Sequence, residues 1–434
     1  VRAHMPGHKG KGEAQKTDIT EIDGADVLYS GKGIIAESQK NASYLFGSRK
    51  TLYSTEGSSL SIRAMLYLTK IYATSKGEKC RILAGRNAHK VFITASALLD
   101  IDVDFIFSEE NDGLTVCKIT KEKLLSELSS LSYKPTAVYI TSPDYLGNVA
   151  DIKELSALCE KEGILLLVDN AHGAYLKFLS ESQHPMDFGA TMCCDSAHKT
   201  LPVLTGGGYL HIGENAPDVI TENAEKAMML FASTSPSYLI LESLDKANAY
   251  LSSSYREELS AFSEKVRELK KTLTDKGFIL FGNEMLKITV CTKPYGYKGE
   301  DFASYLLKEG IVCEFSDPDY VCLMLTPQNT DEDIKRIKEA FLNIEKKEPI
   351  NTLPPFITKP KKALTPKEAL FSLSHKLPLE ECEGRVLSAV TVSCPPAVPV
   401  LVSGEVVDEN ASEVMRYYGV THLEVLRVFV RVKS

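Results

Sequence analysis

The sequence predicts an α/β protein: a large unit built on a mainly parallel sheet, then a smaller α/β unit and a C-terminal α+β unit. Three observations predict it. Short apolar runs alternate with amphipathic segments through the first half of the chain, and the alternation repeats on a smaller scale in the second. A stretch rich in proline and lysine, KKEPINTLPPFITKPKK, then reads as a linker before a last unit. Strand, helix, strand in that order implies parallel pairing. At 434 residues the chain exceeds what one core usually supports, so two or three domains are expected.

Residues 81–84, 137–141, 164–168 and 191–194 are mostly apolar, too short for helices and bounded by turn residues, so they read as buried strands. Between two of them, DIKELSALCEKEG sets Ile152, Leu155, Leu158 and Cys159 on one helical face and stops at Gly163. Residues 249–276 read as one long charged helix. After it come a run at 286–291, a helix at 299–310, a run at 320–325 and a helix at 330–346, which make the smaller α/β unit. LEVLRVFVRV near the end alternates as a strand does. The expected organisation is an N-terminal segment at 1–48, a large domain at 49–248, a small domain at 249–346, a linker at 347–362 and a C-terminal domain at 363–434.

Composition excludes several function classes. At 44% hydrophobic and 25% charged residues the chain is of ordinary globular type. Its net charge is −8, with no dense basic tract beyond the short run at 359–362, which argues against a nucleic-acid partner. No apolar run approaches the roughly 18 residues of a membrane span, and VRAHMPGHKGKG lacks the apolar core of a signal peptide. The ten cysteines have no metal-type spacing, so reduced thiols, no metal and a cytoplasmic location are expected.

The candidate site follows from what stands after each strand. GRNAHK, with His89, follows the first; SPDYLGN the second; DNAHG, with Asp169 and His172, the third; and DSAHK, with Lys199, the fourth. Ligands of open parallel sheets lie beyond the carboxyl ends of the strands. Lys199 stands between apolar Met192 to Cys194 and the apolar stretch from Leu201 to Leu204. A lysine emerging from a buried segment loses affinity for its proton and becomes a nucleophilic amine suited to a Schiff base.

STEGSSLSIRAMLYL puts Gly57, Ser58 and Ser59 at the start of an amphipathic segment, where N–H groups and the helix dipole hold phosphate, although a simple N-cap looks the same. Asp169 suits a ring nitrogen that must stay protonated, and His89 the face of an aromatic ring. Amine, carboxylate, imidazole and anion cradle together suit pyridoxal 5'-phosphate.

HMPGHKGKG at 4–12, RNAHK at 86–90, VDNAHGA at 168–174, SAHKTL at 196–201, STSPSYLILESLD at 233–245 and PPAVPVLVSGE at 395–405 resemble, in order, the landmarks of the Orn/Lys/Arg decarboxylases, pyridoxal-phosphate enzymes of the aspartate-aminotransferase fold. Without an N-terminal wing domain, the chain resembles the short forms, which include arginine decarboxylases. The resemblance implies that Lys199 holds the cofactor aldehyde and that Ser196 and His198 contact its phosphate. It also implies that His89 stacks on the pyridine and that Asp169 bonds the ring nitrogen. A homodimer or a multiple of dimers is implied, with the segment around Ser233 and Thr234 reaching the neighbour's phosphate. His172 either shapes the pocket or is structural. Glu405, matching the family's P-G-E, is a candidate partner for a substrate's distal cation, with a solvent-facing turn as the alternative.

The implied reaction is α-decarboxylation of arginine, lysine or ornithine to a polyamine-pathway amine. An aminotransferase and a cofactor-binding paralogue with a regulatory role are the alternatives. Aminotransferases generally hold the α-carboxylate with a small-domain arginine, and Leu323 and Met324 stand where it is expected. The chain departs from the family pattern at Asn170, Val91, Gly206, Glu56 and Ser403.

Overall fold

A computed structural model of the chain describes residues 1–12, 16–107, 117–394 and 398–427. The chain divides into two compact units, each discontinuous in sequence: Val1–Ile82, Leu124–Ser142 and Asp151–Leu259 form the first; Leu83–Lys123, Pro143–Ala150 and Ser260–Ser434 form the second. No helix among the described residues is long and apolar enough to cross a membrane.

Seven strands open the chain: β1 (Lys50–Ser54), β2 (Arg81–Gly85), β3 (Asp102–Ile106), β4 (Ala137–Thr141), β5 (Leu165–Asp169), β6 (Met192–Asp195) and β7 (Gly208–Ile212). The helices among them are α1 (Ile34–Phe46), α2 (Gly57–Ser75), α3 (Lys90–Leu98), α4 (Lys121–Ser130), α5 (Ile152–Glu162) and the one-turn α6 (Ala197–Thr200). In the first unit the sheet runs β1-β7-β6-β5-β4. There β4, β5 and β6 are parallel, while β7 is antiparallel to both β6 and β1. All of β5 is buried, as an apolar run covered on both faces must be. The crossover helix α5 starts where the Asp151 carboxylate accepts from the Glu154 N–H at 3.0 Å, and it stops at Gly163 with φ +61.

The helix expected over 249–276 is two helices, Tyr238–Leu251 and Tyr255–Lys276. Ser252, Ser253 and Ser254 interrupt it: the Ser252 and Ser253 hydroxyls bond back to the Ala249 and Tyr250 carbonyls, and the Ser254 carbonyl accepts from the N–H groups of Glu257 and Glu258 to begin the next helix.

β2, of which Leu83–Gly85 belong to the second unit, neighbours β3. Further along, β8 (Ile279–Phe281), β9 (Lys287–Cys291), β10 (Phe315–Ser316) and β11 (Tyr320–Met324) form an antiparallel sheet in the order β10-β11-β9-β8. Helix Asp331–Asn343 follows β11, begun by a capping box between Thr330 and Asp333. The C-terminal stretch packs its own core around Leu379, Leu387, Val400, Val407, Val414 and Val425. Of the alternating strand expected near the end, His422–Leu426 is a strand, paired with Ser374–Pro378. Residues 428–434, like Pro395, Pro396 and Ala397 of the last landmark, lie outside the described residues.

Candidate active site

The carboxyl ends of β5 and β6 are adjacent, with Asp169 in register with Cys194. That pairing sets the turn holding Asn170 and His172 beside the turn holding Ser196, His198 and Lys199. Lys199 sits on α6, and its Nζ is 3.0 Å from Nε2 of buried His172. An ammonium only donates, so with Nζ protonated the imidazole nitrogen is the acceptor.

Asp169 is 2% exposed. Its Oδ2 accepts from the Tyr139 hydroxyl at 3.0 Å and its Oδ1 from the Ala171 N–H at 3.3 Å. Burial, with the Asp169 charge adding to it, pushes the Tyr139 hydroxyl far above its ordinary range, so it stays a donor.

Helix α2 begins at Gly57, whose φ of +64 suits glycine, and no side chain caps it. The Ser196 hydroxyl donates to the Ser58 hydroxyl at 2.9 Å, and Ser59 follows in the same first turn. The His198 ring lies close enough to Gly57 that a Cβ there would be 3.5 Å from its Cε1. His198 Nδ1 is 2.8 Å from the Gly207 carbonyl, which can only accept, so that nitrogen carries the hydrogen. Burial, then the nearby Lys199 charge, holds this imidazole below its ordinary range against the effect of the Gly207 bond. Exposed Thr234 follows Ser233, whose N–H donates to the Glu56 carboxylate at 2.7 Å.

Lys199, His172, Asp169, Gly57, Ser58, Ser59, Ser196, His198 and Thr234 thus all belong to the first unit. His89 belongs to the second, where its Nδ1 caps α3 by accepting from the Val91 N–H at 3.2 Å.

Glu405, also in the second unit, is not on a solvent-facing turn: it is 5% exposed and bound by Arg86, whose Nη1 and Nη2 each donate to one of its oxygens at 2.7 Å. The Val402 N–H adds a bond of 2.9 Å, so charge and lone pairs are met within the fold.

Sequence reasoning missed Asp195, His184 and His211. Asp195 is fully buried; its Oδ1 accepts from the Asn170 amide at 2.7 Å, and its Oδ2 faces Nε2 of His184 at 3.0 Å and of His211 at 3.2 Å. With Cys193 they form a four-residue cluster whose ligand-type atoms lie within 4.8 Å of one another. Cysteine spacing could not show it, because its members come from two strands and a turn.

The Orn/Lys/Arg decarboxylase major-domain model matches residues 10–294, and the Orn/Lys/Arg decarboxylase C-terminal-domain model matches residues 350–426. The chain belongs to the Orn/Lys/Arg decarboxylase family. It is similar to an arginine decarboxylase of Bacillus subtilis (strain 168), 28% identical over 456 residues that span 96% of this chain and 90% of the relative. Among solved structures it resembles lysine decarboxylase A from Pseudomonas aeruginosa, with a TM-score of 0.81 and 15% identity over 98% of this chain and 78% of that one. A Sphingomonas wittichii serine palmitoyltransferase gives a TM-score of 0.54 and 15% identity over 74% and 78%. The fold is that of type I pyridoxal-phosphate-dependent enzymes, with the family's C-terminal domain following the large one, and the chain is an enzyme of the decarboxylase class.

Four of the five departures from the family pattern have local reasons. Gly206 has φ +99, its carbonyl accepts from the Gly57 N–H, and a Cβ would come 2.8 Å from the Thr55 carbonyl oxygen. The Ser403 hydroxyl donates to the Ala389 and Val390 carbonyls. Glu56 holds the Ser233 N–H, and Asn170 supplies the amide that Asp195 accepts. Val91 is buried on α3, and nothing else in the structure explains it.

Proposed function

We propose that the protein is a pyridoxal-phosphate-dependent α-decarboxylase of a basic amino acid, with arginine or lysine preferred over ornithine. The observation that carries the reading is the placement of Lys199 Nζ against His172, on a turn adjacent in register to buried Asp169. The residues fit the cofactor: the uncapped start of α2 with the Ser58 and Ser196 hydroxyls suits a phosphate, and a buried carboxylate suits a ring N–H.

When bound, pyridoxal phosphate supplies an aldehyde that condenses with amines and a protonated pyridine that takes up the electron pair left by departing carbon dioxide. Lys199 would hold the aldehyde, and His172 would exchange the proton at Nζ. Asp169, steered by Tyr139, keeps the ring nitrogen protonated. Gly57, Ser58, Ser59, Ser196 and His198 would hold the phosphate.

β11, Tyr320–Met324, carries no arginine, which argues against transamination, since a clamped carboxylate is a stabilised one. The named arginine and lysine decarboxylases among the similar proteins support a basic substrate, and the product is then the corresponding polyamine-pathway amine. A homodimer completes the account, with Thr234 reaching the neighbour's phosphate; dilution should release cofactor as subunits part, and a monomer that keeps its cofactor would contradict this. Borohydride reduction of the protein with pyridoxal phosphate, followed by peptide mass analysis, tests the cofactor role. Label at Lys199 is expected, and label elsewhere or none would overturn it.

A further inference from the structure

One residue beyond Asp169, Asn170 ties the end of β5 to the end of β6 a second time. Its side-chain amide donates to Asp195 Oδ1 at 2.7 Å, with both residues fully buried. Asp195 ends the strand that leads through Ser196 into Lys199. We propose that Asn170 and Asp195 are a positioning pair: one neutral amide and one ionised carboxylate hold the turn after Asp169 against the turn that carries Lys199. This rests on the cofactor reading above, which gives Asp169 and Lys199 their joint task.

The hydrogen bonds around Asp195 are complementary. The Met186 N–H donates to His184 Nδ1 at 3.3 Å, so the hydrogen of a neutral His184 is on Nε2, the nitrogen 3.0 Å from Asp195 Oδ2. That nitrogen is a donor rather than a metal ligand. His211 approaches the same oxygen at 3.2 Å while its Nδ1 meets the Thr51 hydroxyl at 2.8 Å. The other titratable groups facing Asp195 are Cys193, Cys194 and Tyr209. Burial pushes both thiols and the phenol well above their ordinary ranges and His211 below its own, so these four are neutral. Burial alone would raise Asp195 as well, but the hydrogen bonds from His184 and His211 outweigh it and hold the carboxyl well below its usual range.

A carboxylate at position 170 would stand at hydrogen-bonding distance from another buried carboxylate, and two such groups must share a proton. Asn170→Asp should therefore weaken the pair as the pH rises. Combining it with Asp195→Asn restores complementarity with polarity exchanged: the new amide at 195 accepts from both histidines through its oxygen and donates through its nitrogen to the carboxylate at 170.

The experiment measures borohydride-trapped pyridoxal phosphate on Lys199, and the melting temperature without cofactor, at pH 6 and pH 8 for the parent, Asn170→Asp and the double variant. Relative to the parent, Asn170→Asp should lose labelling by about tenfold or more at pH 8 and much less at pH 6, and the double variant should recover to within about threefold. Its melting temperature at pH 8 should recover in parallel. Asn170→Asp labelled like the parent at both pH values, or a double variant no better than the single one, would overturn the positioning role alone. A parent without label at Lys199 would overturn the cofactor reading and the positioning role with it, while the melting temperatures still report on the pair. Stoichiometric bound metal in the parent, with a melting temperature lowered by chelator, would overturn the hydrogen assignment at His184 and hence the proposal.

Discussion

Replacing Glu405 with glutamine should destabilise the second unit by several kcal/mol without a selective loss of substrate binding. Arg86 is 1% exposed, donates two bonds of 2.7 Å to Glu405 and one of 2.9 Å to the Val400 carbonyl, and has the Phe105 and Phe107 rings each 4.9 Å from its guanidinium carbon. Two unit charges about 4 Å apart at an effective dielectric near 20 attract by roughly 4 kcal/mol. Breaking a buried pair by neutralising one member costs about 3–5 kcal/mol, because the other charge stays buried. At about 2–4 °C per kcal/mol for a unit of roughly 200 residues, the melting temperature should fall by on the order of 10 °C. Replacing Arg86 by Met and Glu405 by Leu together should cost less than Glu405→Gln alone. Thermal melting and steady-state kinetics on the same preparations decide the matter. A melting temperature within about 2 °C of the parent, combined with a KM for a basic amino acid raised about tenfold, would refute the argument and return Glu405 to the substrate.

Asp317→Asn should flatten the pH dependence of stability. Asp317 accepts from the Asp319 N–H at 2.8 Å and the Tyr320 N–H at 2.6 Å, but burial, ahead of the nearby Asp319 and Glu300 charges, pushes its carboxyl up to about 7. A folded-state value above the unfolded one favours the fold while the group is protonated, and that stability is lost as the pH rises from about 4 through about 7. The variant should gain on the parent across that window by on the order of 4 kcal/mol, and parallel stability curves would sink the assignment. Asp169→Asn should keep the fold and much of the cofactor yet lose about 10²-fold or more in turnover, since an uncharged pyridine takes up electrons poorly. Turnover like the parent's would show that Asp169 is not the ring-nitrogen partner.

How much of this was legible in the sequence depended on where each signal lay. LLLVD declared itself as a buried strand, and its last residue was the candidate aspartate because polar residues at strand ends mark ligand sites in parallel sheets. β3, DVDFI, is partly exposed on alternate residues, and β7, GYLHI, opens with glycine, so neither stood out as an apolar run. The break at Ser252–Ser254 was hidden because serine hydroxyls compete with helix hydrogen bonds only locally, while helical periodicity continues on both sides. Lys199 was legible through its apolar flanks and the glycines that follow. The partners of Asp195 were not: His211 reaches it only because β7 pairs antiparallel with β6, setting His211 opposite Cys193, a register that sequence order does not state. The Arg86–Glu405 pair spans 319 positions, and each residue alone looked like a polar loop position.

The most direct test of the account is release of labelled carbon dioxide from carboxyl-labelled arginine, lysine and ornithine by the protein loaded with pyridoxal phosphate, with the amine product identified by mass. Release from arginine or lysine ahead of ornithine, abolished by Lys199→Ala, is the predicted result. Release from none of the three, with amino transfer to a keto acid in its place, would contradict it in favour of an aminotransferase, and silence in both assays would contradict it in favour of a cofactor-binding paralogue.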